Sequence, residues 1–190
     1  MLYRFARRVI KTVFHLIYRF RVTGREHIPP TGPVIISANH IHYFDCLLLA
    51  MFCKRQIFFM GKMEVFKVPV LGWFLKKIGA FPVDRGATDM KAYRHTMSLL
   101  EKEKALGIFC QGTRTQDFEN VKGGVGVFAL KSGAPIVPVG ISGTYRLFSK
   151  MRVNIGPPIT MDKYQGQKVK SELVEEVMKE LTSKVTELAG

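Results

Sequence analysis

Cysteine is scarce in this chain of 190 residues, and the three cysteines present are odd in number. Cys46, Cys53 and Cys110 fit neither a disulfide framework nor the spacing of a zinc site. A chain of this length buries about two thirds of its unfolded surface without such cross-links. The sequence therefore predicts one catalytic or binding domain that folds in a reducing, cytoplasmic compartment.

Long apolar runs and acidic residues are also lacking. A membrane-spanning helix needs about 20 mostly apolar residues, whereas charges recur between Arg4 and Arg19 and no small-residue cleavage site of a signal peptide follows. The 15 acidic residues stand against 29 lysines and arginines, which gives a formal net charge of +14. This surplus predicts a polyanionic partner, namely nucleic acid, anionic lipid or a phosphorylated substrate.

The first residues have the pattern of an amphipathic helix. A turn of about 100° per residue places the apolar side chains of residues 2–20 on one broad face. The opposite face is basic and carries Arg4, Arg7, Arg8, Lys11, His15 and Arg19. Helices of this kind lie in the membrane interface, with their basic side chains toward anionic headgroups. Residues 1–22 are thus predicted to form a membrane-interface helix, and the alternative is an ordinary surface helix docked on its own domain.

The remaining chain, 23–190, alternates short apolar runs with helical patterns. The predicted strands are 34–38, 57–60, 79–83, 107–110 and 136–141. The predicted helices are 46–52, 66–78 with an interruption at Pro69, 88–103 with Thr88 as its cap, 126–131 and 172–188. This alternation predicts a single α/β domain with a largely parallel or mixed sheet flanked by helices, whose functional residues gather where strands end.

The stretch NHIHYFD, residues 39–45, follows the first of these strands. His40 is a candidate general base, and Asp45 is a candidate partner that orients its ring. On an unbroken helix the two side chains would point about 140° apart, so the pairing requires His40 on a turn and Asp45 at the entrance of the next helix. Two alternatives are that Asp45 only caps that helix, and that His42 and Asp45 bind a metal. No metal site is predicted, because a third ligand is missing from the pattern.

Three further stretches lie at other strand ends: GAFPVDRG (79–86), FCQGTRT (109–115) and APIVPVG (134–140). Arg85 and Arg114 can each grip phosphate oxygens with two hydrogen bonds, and the backbone around Gly112 can add donors. The alternative is that both arginines are solvated surface charges. The two prolines of 134–140 predict an edge strand or an irregular one.

Together the four stretches resemble the motif blocks of the 1-acylglycerol-3-phosphate acyltransferases and their glycerolipid acyltransferase relatives. NHIHYFD is similar to the NHxxxxD block, GAFPVDRG to the second block, QGTR to the EGTR block and APIVPVG to the fourth. Residues 61–78 resemble the linker between the first two blocks. The resemblance implies an acyltransferase domain at 23–190, acting at the cytoplasmic face of a membrane as a peripheral or monotopic protein. Its reaction would transfer an acyl group from acyl carrier protein or coenzyme A to lysophosphatidic acid, giving phosphatidic acid without a bound cofactor.

The resemblance also assigns roles to residues. His40 would be the base and Asp45 its orienting acid, without a covalent acyl enzyme. Arg114 and Arg85 would hold the substrate phosphate, and that site would be completed by Gly112, Thr113 and Gln111. The chain departs from the family pattern by having Cys110 and Gln111 where Pro-Glu is usual. If the family's Glu serves through a hydrogen bond, activity survives in this chain; if its charge is essential, the protein is impaired or takes another substrate.

Rival functions follow from the same features. A nucleic-acid-binding protein would explain the charge, although no nucleic-acid motif is present and none is predicted as a partner. A non-catalytic module that binds lipid surfaces, impaired at Gln111, is a second alternative. A third is an acyltransferase for glycerol 3-phosphate or another lysolipid. The aromatic residues Phe58, Phe66, Trp73 and Phe74 are predicted first as core or interface packing, and by the resemblance as walls of an acyl channel.

Overall fold

The computed structural model describes residues 2–84, 89–111 and 123–190. In these residues a seven-stranded sheet has the strand order β1-β7-β6-β2-β5-β3-β4. The strands are β1 Arg19–Thr23, β2 Val34–Ala38, β3 Ile57–Lys62, β4 Phe81–Val83, β5 Ala105–Phe109, β6 Ile136–Gly143 and β7 Lys150–Ile155. The strands from β2 to β6 run parallel, whereas β7 is antiparallel to β6 and pairs in parallel with β1. The predicted α/β domain with a mixed sheet is confirmed.

Helices cover both faces of this sheet. They are α1 Leu2–Ile17, α2 Asp45–Phe52, α3 Met63–Phe66, α4 Pro69–Lys77, α5 Met90–Glu101, α6 Gly124–Ser132 and α7 Ser171–Ala189. The core on one face contains buried side chains of α1 and α2, and the core on the other contains those of α5, α6 and α7. In β2, Ile36 faces the first core and Ile35 the second. This central strand is therefore buried on both sides, as its unbroken apolar run predicts.

The five predicted strands and the predicted helices exist, with ends shifted by a few residues, but two strands were not predicted. In β1 and β7 exposed and less exposed residues alternate along most of the strand. A search for continuous apolar runs finds fully buried strands and passes over such half-buried ones. β1 also corrects the predicted helix at 1–22: α1 ends at Ile17, and Arg19 and Phe20 pair with β7.

Two further predictions need correction. Asp89 is the N-cap of α5, since its side chain accepts hydrogen bonds from the amides of Lys91 and Ala92; Thr88, the predicted cap, lies outside the described residues. The proline-containing strand β6 is an interior strand between β2 and β7, not an edge. Pro138 fits there because the pairing of β6 with β7 begins only at Val139, and the Pro138 carbonyl accepts the amide of Gly156 beyond the end of β7.

Helix α1 divides its apolar face between two environments. Ala6 and Phe14 are buried, and the Phe14 ring packs against Phe20 and Phe44. Apolar side chains on the other half are exposed: Leu2, Phe5, Val9, Val13 and Leu16. The helix is thus docked on its own domain while half of its apolar face remains uncovered by the described residues. No helix in the described part of the chain is long and apolar enough to cross a bilayer.

Candidate active site

The catalytic candidates lie in the loop after β2, where the side chain of Asn39 fixes the chain to the neighbouring strand β6. The Asn39 amide donates to the Ile141 carbonyl at 2.8 Å, and its oxygen accepts the Ile141 amide at 2.7 Å. Asn39 is buried. These two hydrogen bonds take the place of backbone hydrogen bonds between strands, and they hold the turn that carries His40.

His40 and Asp45 meet as the sequence predicts. Nδ1 of His40 lies 2.8 Å from Oδ2 of Asp45. His40 stands on the turn and Asp45 is the first residue of α2, so the five-residue spacing does not run along one helix. The Asp45 side chain is 0% exposed and that of His40 is 14% exposed. The ring is therefore held from a buried carboxylate while keeping access to the surface.

Asp45 accepts further hydrogen bonds from the loop that it closes. Its Oδ2 accepts the backbone amides of Ile41 and His42, each at 2.7 Å. An oxygen that already accepts two amides stays an acceptor, so the proton shared with His40 belongs to Nδ1 of the ring. The first turn of α2 receives no capping hydrogen bond from the side chain of Phe44, its N-cap residue. The Asp45 side chain thus bonds to the turn and to His40. It does more than cap α2, which was the alternative.

This arrangement leaves Nε2 of His40 as the basic nitrogen. Among the described residues, no hydrogen bond joins Nε2 to a protein atom. The imidazole stacks on the ring of Phe109, with centroids 4.0 Å apart and planes 10° apart. Phe109 is the last residue of β5, the strand that pairs with β2 in the sheet. The carboxylate fixes one edge of the imidazole and the phenyl ring fixes one face, so Nε2 has a defined direction.

Gln111 contacts the same turn through its side chain. Its Oε1 accepts the backbone amide of His40 at 2.8 Å, and the residue is buried. This contact needs an acceptor oxygen, which glutamine and glutamate both have, and it needs no negative charge. The uncharged residue at this position is therefore compatible with an intact catalytic turn. Its predicted contact with the substrate phosphate stays a prediction.

Tyr145 is a site residue that the sequence analysis missed. Its hydroxyl donates to Oδ1 of Asp45 at 2.6 Å, and its ring stacks on His42 with centroids 4.4 Å apart. Burial, and next the charge of Asp45, raise the pKa of Tyr145 well above its usual range, so the hydroxyl remains a donor. Tyr145 follows β6, and the rule that sites gather at the ends of parallel strands points to this loop.

His42 serves the packing of this loop. Its Nδ1 accepts the backbone amide of Phe44 at 3.3 Å, and its ring contacts Phe44 and Tyr145. Within residues 2–84, 89–111 and 123–190, no three His, Cys, Asp or Glu side chains are placed to hold a metal ion.

The thiols near the site are poorly suited to nucleophilic attack. Cys110 is 1% exposed, and burial raises its pKa to about 11. Burial likewise raises the pKa of Cys46 to about 11. Because the thiolate is the reactive form, both groups are protonated and inert near neutral pH. Cys110 is thus a buried thiol at the end of β5.

The other predicted site residues, Arg85, Gly112, Thr113 and Arg114, lie outside the described residues. They follow β4 and β5 in the sequence, and both strands run parallel to β2. The carboxyl ends of β4 and β5 therefore lie at the edge of the sheet where His40 stands.

Comparisons with known proteins give the family of the chain. The sequence model of the Acyltransferase family matches residues 19–142. A 1-acyl-sn-glycerol-3-phosphate acyltransferase of Bacillus subtilis is 33% identical over 164 residues, which cover 83% of this chain and 82% of that protein. A lyso-ornithine lipid O-acyltransferase of Pseudomonas aeruginosa is 30% identical over 130 residues, covering 67% of this chain and 48% of that protein.

The fold has a match among solved structures. The crystal structure of the 1-acyl-sn-glycerophosphate acyltransferase PlsC from Thermotoga maritima superimposes with a TM-score of 0.70 at 25% sequence identity. The match covers 98% of this chain and 78% of that chain. The extent of these matches shows that the chain is an acyltransferase and belongs to the 1-acylglycerol-3-phosphate acyltransferase family of glycerolipid acyltransferases.

Proposed function

We propose that the protein transfers a fatty acyl group from an acyl thioester to the free hydroxyl of 1-acylglycerol-3-phosphate, and so makes phosphatidic acid for phospholipid synthesis. The observation that carries the proposal is the 2.8 Å contact between His40 and Asp45, at the end of a buried parallel strand. The name of the Bacillus relative supports this acceptor.

The reaction begins with proton transfer to His40. Nε2 takes the proton of the acceptor hydroxyl as its oxygen attacks the thioester carbonyl carbon. Asp45 stabilises the imidazolium that forms, because its carboxylate accepts the Nδ1 proton. The negative charge of this carboxylate is held in a buried site by two backbone amides and the Tyr145 hydroxyl.

The second half returns the proton. The tetrahedral intermediate collapses, the carbon–sulfur bond breaks, and Nε2 of His40 gives its proton to the leaving thiolate. The products are phosphatidic acid and the free thiol of the carrier, so atoms and charges balance without a covalent enzyme intermediate. The raised pKa values of Cys46 and Cys110 support this direct transfer.

Tyr145 is a positioning residue in this scheme. It acts on the base through Asp45, since its hydroxyl contacts the carboxylate oxygen that does not face the ring. Its aromatic ring also contacts Tyr18, which follows α1. Tyr145 thus connects the catalytic carboxylate to the N-terminal helix.

The phosphate of the acceptor is assigned to Arg114 and Arg85, with Gly112, Thr113 and Gln111 completing the site. Guanidinium groups bind phosphate through paired hydrogen bonds. The preceding strands β4 and β5 end at the edge where His40 stands, which supports the assignment. The acyl donor is an acyl carrier protein or coenzyme A thioester.

We assign membrane binding to the exposed half of α1, which would contact anionic lipids at the cytoplasmic face of the membrane. Phe5 is 66% exposed and Leu16 is 72% exposed. Such side chains on a basic helix enter the acyl boundary of a bilayer.

A matched pair of variants tests this assignment. Phe5→Ser combined with Leu16→Ser should lower binding to anionic vesicles by about 10-fold, since each loses an apolar side chain that a bilayer would cover. The control is Met90→Ser, an exposed apolar residue of α5 on the opposite face of the sheet. Sedimentation with vesicles measures the bound fraction, and equal binding of both proteins would contradict the assignment. Deleting residues 1–20 is a poorer test because it also removes the buried Phe14 and part of β1.

A second acceptor is favoured by one observation: the Pseudomonas relative is named for a lyso-ornithine lipid. The deciding experiment is an acyl-transfer assay on the purified protein, with labelled acyl carrier protein and coenzyme A donors. The acceptors compared are 1-acylglycerol-3-phosphate, glycerol 3-phosphate and a lyso-ornithine lipid. The proposal expects 1-acylglycerol-3-phosphate to give the highest kcat/KM, and absence of transfer to it would refute the proposal.

A further inference from the structure

The short helices α3 and α4 leave most of their apolar side chains exposed. Of residues 63–77, all described by the structure, only Gly72 is buried. Val70 is 80% exposed and Trp73 is 58% exposed. A helix stabilised by packing in water places its apolar side chains inward. α4 instead leaves Val70 and Trp73 exposed, so this part of its apolar surface is not covered by the described residues.

The inward glycine explains how this segment folds. α3 packs against α4, β3 and β4, and a Cβ atom on Gly72 would lie 2.2 Å from the Phe66 carbonyl oxygen. Gly72 thus permits close contact between the backbones of the two helices. About 100° per residue turns Val70 to the side of α4 opposite Gly72. Val70 and Trp73 are therefore exposed, whereas Phe74 and Leu75 are half-buried.

The outer surface is also basic. Residues 62–77 contain one acidic residue, Glu64, and its carboxylate pairs with Lys62 at 3.3 Å. The lysines of the segment are Lys62, Lys67, Lys76 and Lys77, all exposed. Exposed apolar residues, a tryptophan and lysines on one segment are typical of contact with the headgroup region of an anionic bilayer.

The segment lies beside both the catalytic edge and α1. It leaves the sheet after β3, where Phe59 stacks on Phe109, the ring that also covers His40. Ile78, the residue after α4, lines the same small cleft as Ala6 and Ile10 of α1. The end of α4 therefore lies close to α1.

We propose that α3 and α4 form a second bilayer contact, in which Val70 and Trp73 enter the interface of an anionic membrane while the lysines bind its headgroups. The inference rests on the proposed function for its occupant, because a lysophospholipid acceptor lies in a bilayer. With α1 it would give the molecule two contacts with the bilayer.

The chain carries its own probe for this contact. Trp73 is the single tryptophan of the sequence, so its fluorescence reports on this segment alone. Vesicles of phosphatidylglycerol and phosphatidylcholine should shift its emission to shorter wavelength, and lipids brominated in their acyl chains should quench it. If the protein sediments with the vesicles but the Trp73 emission is unchanged, or if it does not bind them at all, the inference is overturned.

Variants separate this contact from other causes. Val70→Ser should reduce vesicle binding by about 5-fold, because the bilayer loses one valine side chain, whereas Met90→Ser should leave binding unchanged. An emission shift with acidic acyl carrier protein but not with vesicles would assign the surface to a protein partner and reject the bilayer. Turnover of a water-soluble, short-chain acceptor is measured in parallel. If the parental protein does not acylate this soluble acceptor, the proposed function is rejected, whereas the fluorescence result stands independently.

Discussion

Two segments leave the sheet at the same edge and are built in opposite ways. In the turn after β2, Asn39, the His40 amide and Asp45 all have hydrogen-bond partners at 2.6 to 2.8 Å. In α3 and α4, after β3, one glycine is buried and most apolar side chains are exposed, among them Val70 and Trp73. The first segment fixes the positions of individual atoms. The second presents a surface, for which only the character of the side chains matters.

The comparison predicts that the two segments fail separately. A change in the turn after β2 should alter turnover and leave vesicle binding intact, because none of its fixed atoms belongs to the apolar surface. A change at Val70 should do the opposite. Substitutions at three residues, His40 in the turn and Gln111 and Tyr145 bonded to it, sharpen this contrast, from the largest expected effect to the smallest.

His40→Ala should lower kcat by about 10³-fold or more, since a general base contributes about 10²- to 10⁴-fold and no second base is bonded to Asp45 in the described residues. The fold and vesicle binding should be retained, because Asp45 keeps its hydrogen bonds from the Ile41 and His42 amides and the Tyr145 hydroxyl. Acyl transfer at the parental rate by this variant would disprove the proposed mechanism.

Gln111 offers a matched pair. Gln111→Leu keeps the size but removes the acceptor of the buried His40 amide, a loss worth about 1 to 3 kcal/mol. We expect kcat/KM to fall about 10- to 100-fold on that basis. Gln111→Glu restores the usual residue of the family and retains an acceptor, so its kcat/KM should stay within about 3-fold of the parent. If Gln111→Glu raises activity strongly, the charge matters and the acceptor alone is insufficient.

Tyr145→Phe keeps the aromatic ring and removes the hydroxyl that donates to Asp45. The expected fall in kcat is about 10-fold, the size of one hydrogen bond to a charged group, with KM unchanged. Without the Tyr145 hydroxyl, fewer donors stabilise the negative charge of Asp45. The carboxylate then stabilises the imidazolium form of His40 more strongly. The acid limb of kcat/KM against pH should therefore move to higher pH. An unaltered pH profile would mean that Tyr145 serves only packing.

The catalytic turn was predictable because its chemistry is local in the sequence. His40 and Asp45 are five residues apart, and the apolar run before them indicates a buried strand whose end carries functional groups. The burial of β2 on both sides and the contact between Nδ1 and the carboxylate both agree with that pattern.

The remaining features depend on distant contacts. Tyr145 is 100 residues from Asp45 in the chain, and no spacing rule connects them. The alternating patterns of β1 and β7 acquire meaning only when the two strands pair. Trp73 was predicted in core or interface packing, or by the resemblance in the wall of an acyl channel, and it is 58% exposed. Its exposure follows from Gly72, which closes the inner side of α4 against Phe66.

A single residue, Tyr18, separates α1 from β1, and the amide of Tyr18 still bonds to the Phe14 carbonyl. No flexible linker therefore separates α1 from the sheet. A bilayer lying along α1 would meet the sheet at one fixed angle. If α1 binds a bilayer as proposed, the enzyme would collect its acceptor by lateral diffusion within one leaflet. Its rate should then follow the mole fraction of acceptor among the lipids and be insensitive to the acceptor's total concentration in the sample.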